Sequence, residues 1–270
     1  MALSGEELKR VCEEAGQAVR QAGEIIRERW DRPREITRKG RIDLVTDTDV
    51  AVEETLKKSL AQVLPKATFL AEESSGKAEL ADLTWVIDPL DGTTNFAHAL
   101  PFVAISVGLW DSGRVRAGIV YNPILQEYFY AAEGQGAWYN DARASVSEAS
   151  ELEQCVVATG FPYTIQDEVD AVMARLREVV VVAQGIRRCG AAALDLAYVA
   201  CGKLGAYYEA CLNPWDMAAG SLLVSEAGGR VSDFDSSPLD LRSGRILASN
   251  GQVHGQMSGL LQAAARRLTS

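Results

Sequence analysis

The sequence predicts an α+β unit over residues 1–147 running into an α/β unit over residues 148–270. Two observations carry this. Before the boundary, amphipathic stretches of helical spacing are followed by successive β-branched and aromatic segments with turn residues between them, the order of an antiparallel meander. The chain then becomes small and polar from Ala144 to Gln154. Beyond that, strand-like and helix-like segments alternate, the order of an α/β layer.

Residues 4–30 place Leu8, Val11, Cys12, Ala15, Val19, Ala22, Ile25, Ile26 and Trp30 at helical spacing, with Ser4 as N-cap and Glu6 and Glu7 in the first turn. Asp31-Arg32-Pro33 ends that helix. In Lys39 to Asp49, Ile42, Leu44 and Val45 predict a short extended piece. Asp47 or Asp49 then opens a helix to about Leu64, stopped by Pro65. Thr68 to Ala71 reads as a strand ending in Glu72-Glu73-Ser74-Ser75-Gly76. The run Trp85 to Ile87 reads as a buried strand expected to stop at Asp88, because Pro89 fixes its own φ and restricts the residue before it. Asp88 and Asp91 then sit on a stiff turn. Gly92 permits a tight bend, and Thr93, Thr94 and Asn95 bring hydroxyls, an amide and N–H groups where a helix can begin.

Phe102 to Trp110, Val115 to Tyr121 and Tyr128 to Ala132 form the meander, with a short strand after Gly134. In the second unit, Cys155 to Thr159 is a strand and residues 166–180 a helix. A short strand is expected near Val181 to Ala183, with Gly185 to Gly190 as a loop. Ala191 to Gly202 is a helix of small residues and Leu204 to Glu209 a strand. Asn213 and Pro214 open a helix to Ala227, closed by Gly228-Gly229. Ile246 to Ser249 is a strand and Val253 to Leu268 the final helix.

A net charge of -10 disfavours a nucleic-acid surface. The cysteines Cys12, Cys155, Cys189, Cys201 and Cys211 are scattered and show no CxxC spacing, so reduced thiols in a cytoplasmic setting are expected. No apolar run approaches the roughly 20 residues needed to cross a membrane, and the N-terminus does not read as a signal peptide. Only His98 and His254 are present, so a histidine triad or a histidine-rich metal site has little to draw on; His98 reads as structural. Catalysis must therefore use carboxylates, hydroxyls and metal.

Asp49, Glu72 with Glu73, Asp88 with Asp91, and Asp216 each lie at a strand end or helix start. Each reads alone as a cap, a turn or a dipole complement. Together they fit an all-oxygen site for Mg²⁺, since converging carboxylates without a cation would repel.

At these residues the chain resembles the inositol monophosphatase family of Mg²⁺-dependent, lithium-sensitive phosphatases. One signature stands as Trp85-Val86-Ile87-Asp88-Pro89-Leu90-Asp91-Gly92-Thr93-Thr94-Asn95-Phe96. The other is Trp215-Asp216-Met217-Ala218-Ala219-Gly220, continuing to Glu226-Ala227-Gly228-Gly229. Glu72-Glu73-Ser74 and Asp43-Leu44-Val45-Thr46 with Asp49 match in order and spacing. The resemblance implies a layered αβαβα sandwich of the sugar phosphatase type, with the site between its halves. It also implies two or three Mg²⁺ ions, a homodimer and a small phosphorylated polyol as substrate.

By the same resemblance, Glu72, Asp88, Asp91, Asp216 and the Leu90 carbonyl would hold metal, and the N–H groups of Gly92 and Thr93 would hold phosphate. Thr93 and Asp49, with Glu72, would act on the attacking water, and Asp49 is a candidate ligand for a weaker third metal. Glu73 would lie behind the ligands. Glu209 would accept hydrogen bonds from inositol hydroxyls beside Gly190, Ala191 and Ala192. Ala191 stands where the family often has Ser or Thr. Inositol monophosphate ranks first because Gly185 to Glu209 resembles bacterial inositol monophosphatases. A fructose 1,6-bisphosphatase or broad sugar phosphatase on the same site is the alternative, and a regulatory protein binding the transcription machinery is the alternative of another class.

Overall fold

The computed structural model describes residues 3–32, 36–38, 44–75 and 79–268. Pro33, Lys39 to Asp43 and Gly76, which the sequence reading used, lie outside the described residues.

The chain begins with Gly5–Arg29 (α1), where Ser4 and Glu7 cap each other reciprocally. Ile36–Arg38 (β1) pairs with Leu44–Thr46 (β2) and leads into Asp47–Val63 (α2). Thr46 caps α2 rather than Asp47 or Asp49: its hydroxyl accepts from Thr48 N, while Asp49, three residues on, reaches back to Thr46. A seven-stranded sheet follows, in the order Thr68–Ala71 (β3), Leu83–Asp91 (β4), Ala104–Asp111 (β5), Arg114–Asn122 (β6), Glu127–Ala132 (β7), Gly136–Tyr139 (β8) and Ala142–Arg143 (β9). The short helix Thr93–Ala97 (α3) sits between β4 and β5.

The second sheet has five strands. Val156–Thr159 (β10), Ile165–Val180 (α4), Gly185–Arg187 (β11), Ala192–Ala200 (α5), Ala206–Glu209 (β12) and Pro214–Glu226 (α6) come in that order, then Arg230–Ser232 (β13), Ile246–Ser249 (β14) and His254–Leu268 (α7). Its spatial order is β11-β10-β12-β14-β13, parallel on one side of β12 and antiparallel on the other.

The layers follow from which faces are apolar. Trp85, Ile87, Ile105, Val107 and Leu109 point to one face of the first sheet and are buried against α1 and α2. Val86, Ala104 and Val120 point to the other face, where they join the side chains of α5 and α6. Those two helices fill the space between the sheets, and α4 and α7 cover the outer face of the second. This is the αβαβα sandwich. It explains why β4 reads as a continuous apolar run rather than an alternating one: both its faces are covered.

Three expectations are corrected. The motif strand does not stop at Asp88 but continues through Pro89 to Asp91. The register shifts between Asp88 and Asp91, so the missing N–H of Pro89 falls where the ladder is already interrupted. The strand expected near Val181 is a turn, and the pairing strand is β11, four residues later. The short strands β9 and β13 were not expected at all.

Close approach of α6 to the first sheet depends on glycine. A Cβ at Gly118 would stand 2.7 Å from the Ala219 carbonyl oxygen, and one at Gly108 3.0 Å from Ala218 Cβ. Gly118→Ala is therefore expected to cost about 1–3 kcal/mol. Gly259→Ala, on an open face of α7 with nothing within 4 Å, should stabilise by roughly 0.5–1 kcal/mol. Chemical denaturation of both variants checks the pair, and an undiminished Gly118→Ala protein would show that the helix can retreat.

Candidate active site

Glu72, Asp88, Asp91 and Asp216, from three separate segments, line one cavity of about 110 Å³. Glu72 follows β3. Because β3 and β4 run parallel with Ala71 opposite Ile87, Glu72 falls beside Asp88, and Glu72 N donates to the Ile87 carbonyl at 3.1 Å. The same turn is pinned by Glu53 of α2, whose carboxylate accepts from Glu73 N at 2.8 Å. Asp216 sits in the first turn of α6, after Pro214. Its Oδ2 accepts from Asn213 N at 2.6 Å. Asp88 Oδ1 accepts from Leu90 N at 3.0 Å, and Asp91 Oδ2 from Ala193 N, in the first turn of α5, at 2.7 Å. Each aspartate thus commits one oxygen to a backbone N–H and retains a second.

Burial raises these groups. Desolvation holds the Asp88 carboxyl well above its ordinary range, and Glu72, Asp91 and Asp216 push it further. Asp216 is raised by burial, with Asp91, Glu72 and Glu209 adding to it. Asp91 is pushed up to about 6 by burial, held back by the N–H groups of Ala193 and Ala192 and by Arg188. Among the described residues, no three acid, histidine or cysteine side chains are drawn round one ion-sized point. The acids share a wall rather than a closed cage. Hard oxygen donors that repel one another in a buried pocket fit a divalent hard cation, which would relieve that repulsion.

Beside the acids, Gly92 adopts φ 90°, and a Cβ there would stand 2.8 Å from the Phe102 carbonyl oxygen. Only glycine permits this turn, and it delivers Thr93 to the cavity. Thr93 Oγ1 stands 2.9 Å from Asp49 Oδ1 and 3.1 Å from the Leu90 carbonyl. Asp49 itself is fully buried and does not line the cavity; its other oxygen accepts from Thr46 N and Oγ1. Burial raises its pKa against the opposing pull of Thr46 and Thr93. Both oxygens of Asp49 are thus engaged within the protein, and Asp49 reaches the cavity through Thr93.

Gly190, Ala192 and Glu209, from the second half of the chain, line the same cavity. Glu209 accepts from Tyr207 OH at 2.6 Å and is pushed by burial to about 7. Ala191 does not line the cavity. It is buried behind Gly92, so the hydroxyl that the family often carries there is absent from a packing position. Asn95 joins the walls, its Nδ2 donating to Phe102 O at 2.7 Å and Cys189 O at 2.8 Å.

Sequence reasoning missed four residues here. Tyr207 and Asp195 lie on the buried faces of β12 and α5, and burial with Glu209 and Asp91 nearby raises Asp195 strongly. Arg188 was hidden in a stretch read as loop. Glu53 had a signal: an acid one helical turn after Asp49 on the buried side of α2. The histidines stay outside. His254 is enclosed between Ser232 and Ser249 and pushed by burial to about 4, and His98 closes α3.

The sequence profile of the inositol monophosphatase family matches residues 7–269. The chain belongs to the inositol monophosphatase family. It is similar to the inositol-1-monophosphatase of Synechocystis sp., 43% identical with 97% of this chain and 92% of that protein covered. It is also similar to the Nus factor SuhB of Escherichia coli, 41% identical over 88% of this chain and 91% of that protein. The structure of the inositol monophosphatase from Anabaena (Nostoc) sp. superposes with a TM-score of 0.86 at 38% identity, covering 95% of this chain and 96% of that one. As a member of this metal-dependent phosphatase family, the chain is an enzyme, a phosphatase of inositol phosphates. No helix among the described residues is long and apolar enough to cross a membrane.

The acid cluster predicts a pH signature. An acid whose folded pKa is raised gives stability that is full below the unfolded value of 3.8 and lost as pH rises through the folded pKa, about 6 for Asp91. Stripped of divalent cations, the protein should melt progressively lower between about pH 4 and 6, and Asp91→Asn should flatten that slope. Mg²⁺ should restore the melting temperature most at the alkaline end. A slope unchanged in the variant would show that the acids do not repel as the geometry implies.

Proposed function

We propose that this phosphatase hydrolyses inositol monophosphate to inositol and phosphate with Mg²⁺ bound, by direct attack of water and without a phosphoenzyme. The observation that carries the reading is the shared cavity, in which four buried or half-buried carboxylates stand with the Gly92 turn and the Thr93–Asp49 pair. Glu72, Asp88, Asp91, Asp216 and the Leu90 carbonyl are the groups that would hold two Mg²⁺ ions. Bound there, the metal would supply positive charge to the phosphoryl oxygens and acidify water.

The chain's own residues do the rest. The Gly92 turn presents backbone N–H groups to the phosphate. Thr93 accepts a hydrogen bond from the attacking water and, because its own proton points to Asp49, passes the water's proton on to that carboxylate. Glu72 lines the same cavity and acts with them on the water. Glu209, oriented by Tyr207, accepts from ring hydroxyls and seats the polyol against Gly190 and Ala192. The leaving alkoxide takes a proton as the ester bond breaks.

The division at residues 147/148, a reduced cytoplasmic setting and a homodimer complete the proposal. Five cysteines without a disulfide support the second. The exposed apolar side chains Val169, Met173, Val180 and Val181 support the third. Light scattering should give twice the chain's 29.2 kDa.

Asp91→Asn should abolish Mg²⁺-dependent phosphate release from myo-inositol 1-phosphate while the fold survives. Thr93→Ala should lower kcat by about 10²–10⁴-fold with little change in KM. Near wild-type turnover in either variant would sink the mechanism. A second reading rests on the relatives named Nus factor SuhB, 40–44% identical: a contact with the transcription machinery. Binding to purified RNA polymerase that persists in Asp91→Asn would support it as separate from catalysis.

A further inference from the structure

A second cavity, of about 10 Å³, shares the Gly160–Pro162 loop with the acidic cavity but lies under α4, on the other face of β12. Thr159, Tyr208, Arg175 and Phe234 line it, with Val172 and Leu176 of α4. The layer around it is apolar: Val157, Val179, Ala206 and Leu247 pack there. Polar groups in such a layer need partners.

Strand register brings the hydroxyls together. Thr159 and Tyr208 are opposite each other in the parallel pairing of β10 with β12. They are 4% and 3% exposed. The Tyr208 hydroxyl is enclosed without a hydrogen-bond partner. Even a bond between the two hydroxyls would leave one O–H donor over. Arg175 comes down from α4, half-buried, with Cζ 5.2 Å from the centroid of the Phe234 ring. Among the described residues its guanidinium makes no hydrogen bond or ion pair.

The neighbouring charges leave Arg175 uncompensated. Burial lowers its pKa and Arg245 adds to that. Arg245, at the same Phe234 ring, is itself paired with Asp233 at 2.9 Å. Glu168, two turns earlier on α4, supports the Arg175 charge without forming an ion pair with it. Glu209 also lines the cavity, but strand alternation sends its carboxylate to the other face of β12, where the Tyr207 hydroxyl donates to it. A guanidinium withdrawn from water without a counter-charge is costly. Water would satisfy its N–H groups but not its charge, and an anion satisfies both. The volume admits one water-sized group, too little for phosphate or an organic acid.

We infer that this cavity is a binding site for one monatomic anion of the halide type, held by Arg175 with the hydroxyls of Tyr208 and Thr159. The site is distinct from the acidic cavity, whose carboxylates would repel such an ion, and does not rest on the phosphatase reading. The ion sits behind the Gly160–Pro162 loop, which borders the substrate side.

The test melts the full chain at constant ionic strength while sodium gluconate is exchanged for sodium chloride or bromide, for wild type, Arg175→Met and Tyr208→Phe. The melting temperature of the wild type should rise saturably with either halide. Arg175→Met keeps bulk over Phe234 without the charge and should lose the dependence. Tyr208→Phe should need about tenfold more halide, the loss of one bond to a charged group. Bromide soaked into crystals should give an anomalous peak among Arg175, Tyr208 and Thr159. Halide dependence undiminished in Arg175→Met would overturn the inference, and so would the absence of that peak at saturating bromide. Either result would leave Arg175 a stacking partner of Phe234 alone. Should Arg175→Met not fold, the bromide peak and the Tyr208→Phe titration decide, an unshifted halide requirement overturning the site.

Discussion

Gathering like charges in a buried place is the constraint around which this molecule is built. Asp88 and Asp91 are 2% and 9% exposed, and Glu72 and Asp216 are brought to the same wall from other segments. Burial alone disfavours ionised carboxylates, and proximity adds to the penalty. What keeps them in place is backbone. Asp88, Asp91 and Asp216 accept from the N–H groups of Leu90, Ala193 and Asn213, and a fourth acid, Glu53, braces the turn that carries Glu72. The α5 contact is the most telling, because it places the first turn of a helix from the second half against an acid from the first.

The sheet then sets distances that no single loop could. Asp88 lies across from Ser106 in the β4–β5 register, and Ser106 Oγ donates to the Trp215 carbonyl at 3.1 Å. One residue further on is Asp216. This short chain of contacts transmits the position of a strand to the start of a helix. It works only because α6 can press onto the sheet through Gly108, Gly118, Ala218 and Ala219. Small residues in the middle layer are thus part of the geometry of the acidic cavity, although none of them touches it.

How much of this was legible depended on how local each signal is. Helices α1, α2, α4 and α7 announce themselves by apolar spacing, and the meander by β-branched and aromatic runs bounded by turns. The acids were legible because four short segments each end on one. The bulge at Pro89 was not, since it depends on the partner strand β5 rather than on the local sequence. The strand β11 was placed four residues early for the same reason: Val181 to Ala183 looks stickier than Gly185 to Arg187, but β10 pairs with the latter. Asp49 stood out in the sequence, but its contact with Thr93 did not, because a sequence cannot say whether a capping acid faces a cavity or the hydroxyl in front of it. Arg188 and Asp195 had no local signal, and their meaning comes from what the other half of the chain sets opposite them.

The two walls of the cavity are separate in sequence yet not independent. Asn95 follows Thr93 in α3 by two residues, and its amide reaches across to Cys189 and Gly190 as well as back to Phe102. It thereby ties the Gly92 turn on one side to the Cys189–Gly190 segment on the other. A displacement of Gly190 that admitted a bulkier polyol would therefore pull on Thr93, and through it on the hydrogen bond to Asp49. Change in substrate is least disruptive when it leaves this amide in place and acts on side chains beyond it. Glu209 and Arg188 are such positions: both line the cavity, and neither bonds to the Gly92 turn. The tie at Asn95 fixes the Gly92 turn against the Cys189–Gly190 segment, and the side chains of Glu209 and Arg188 lie outside it.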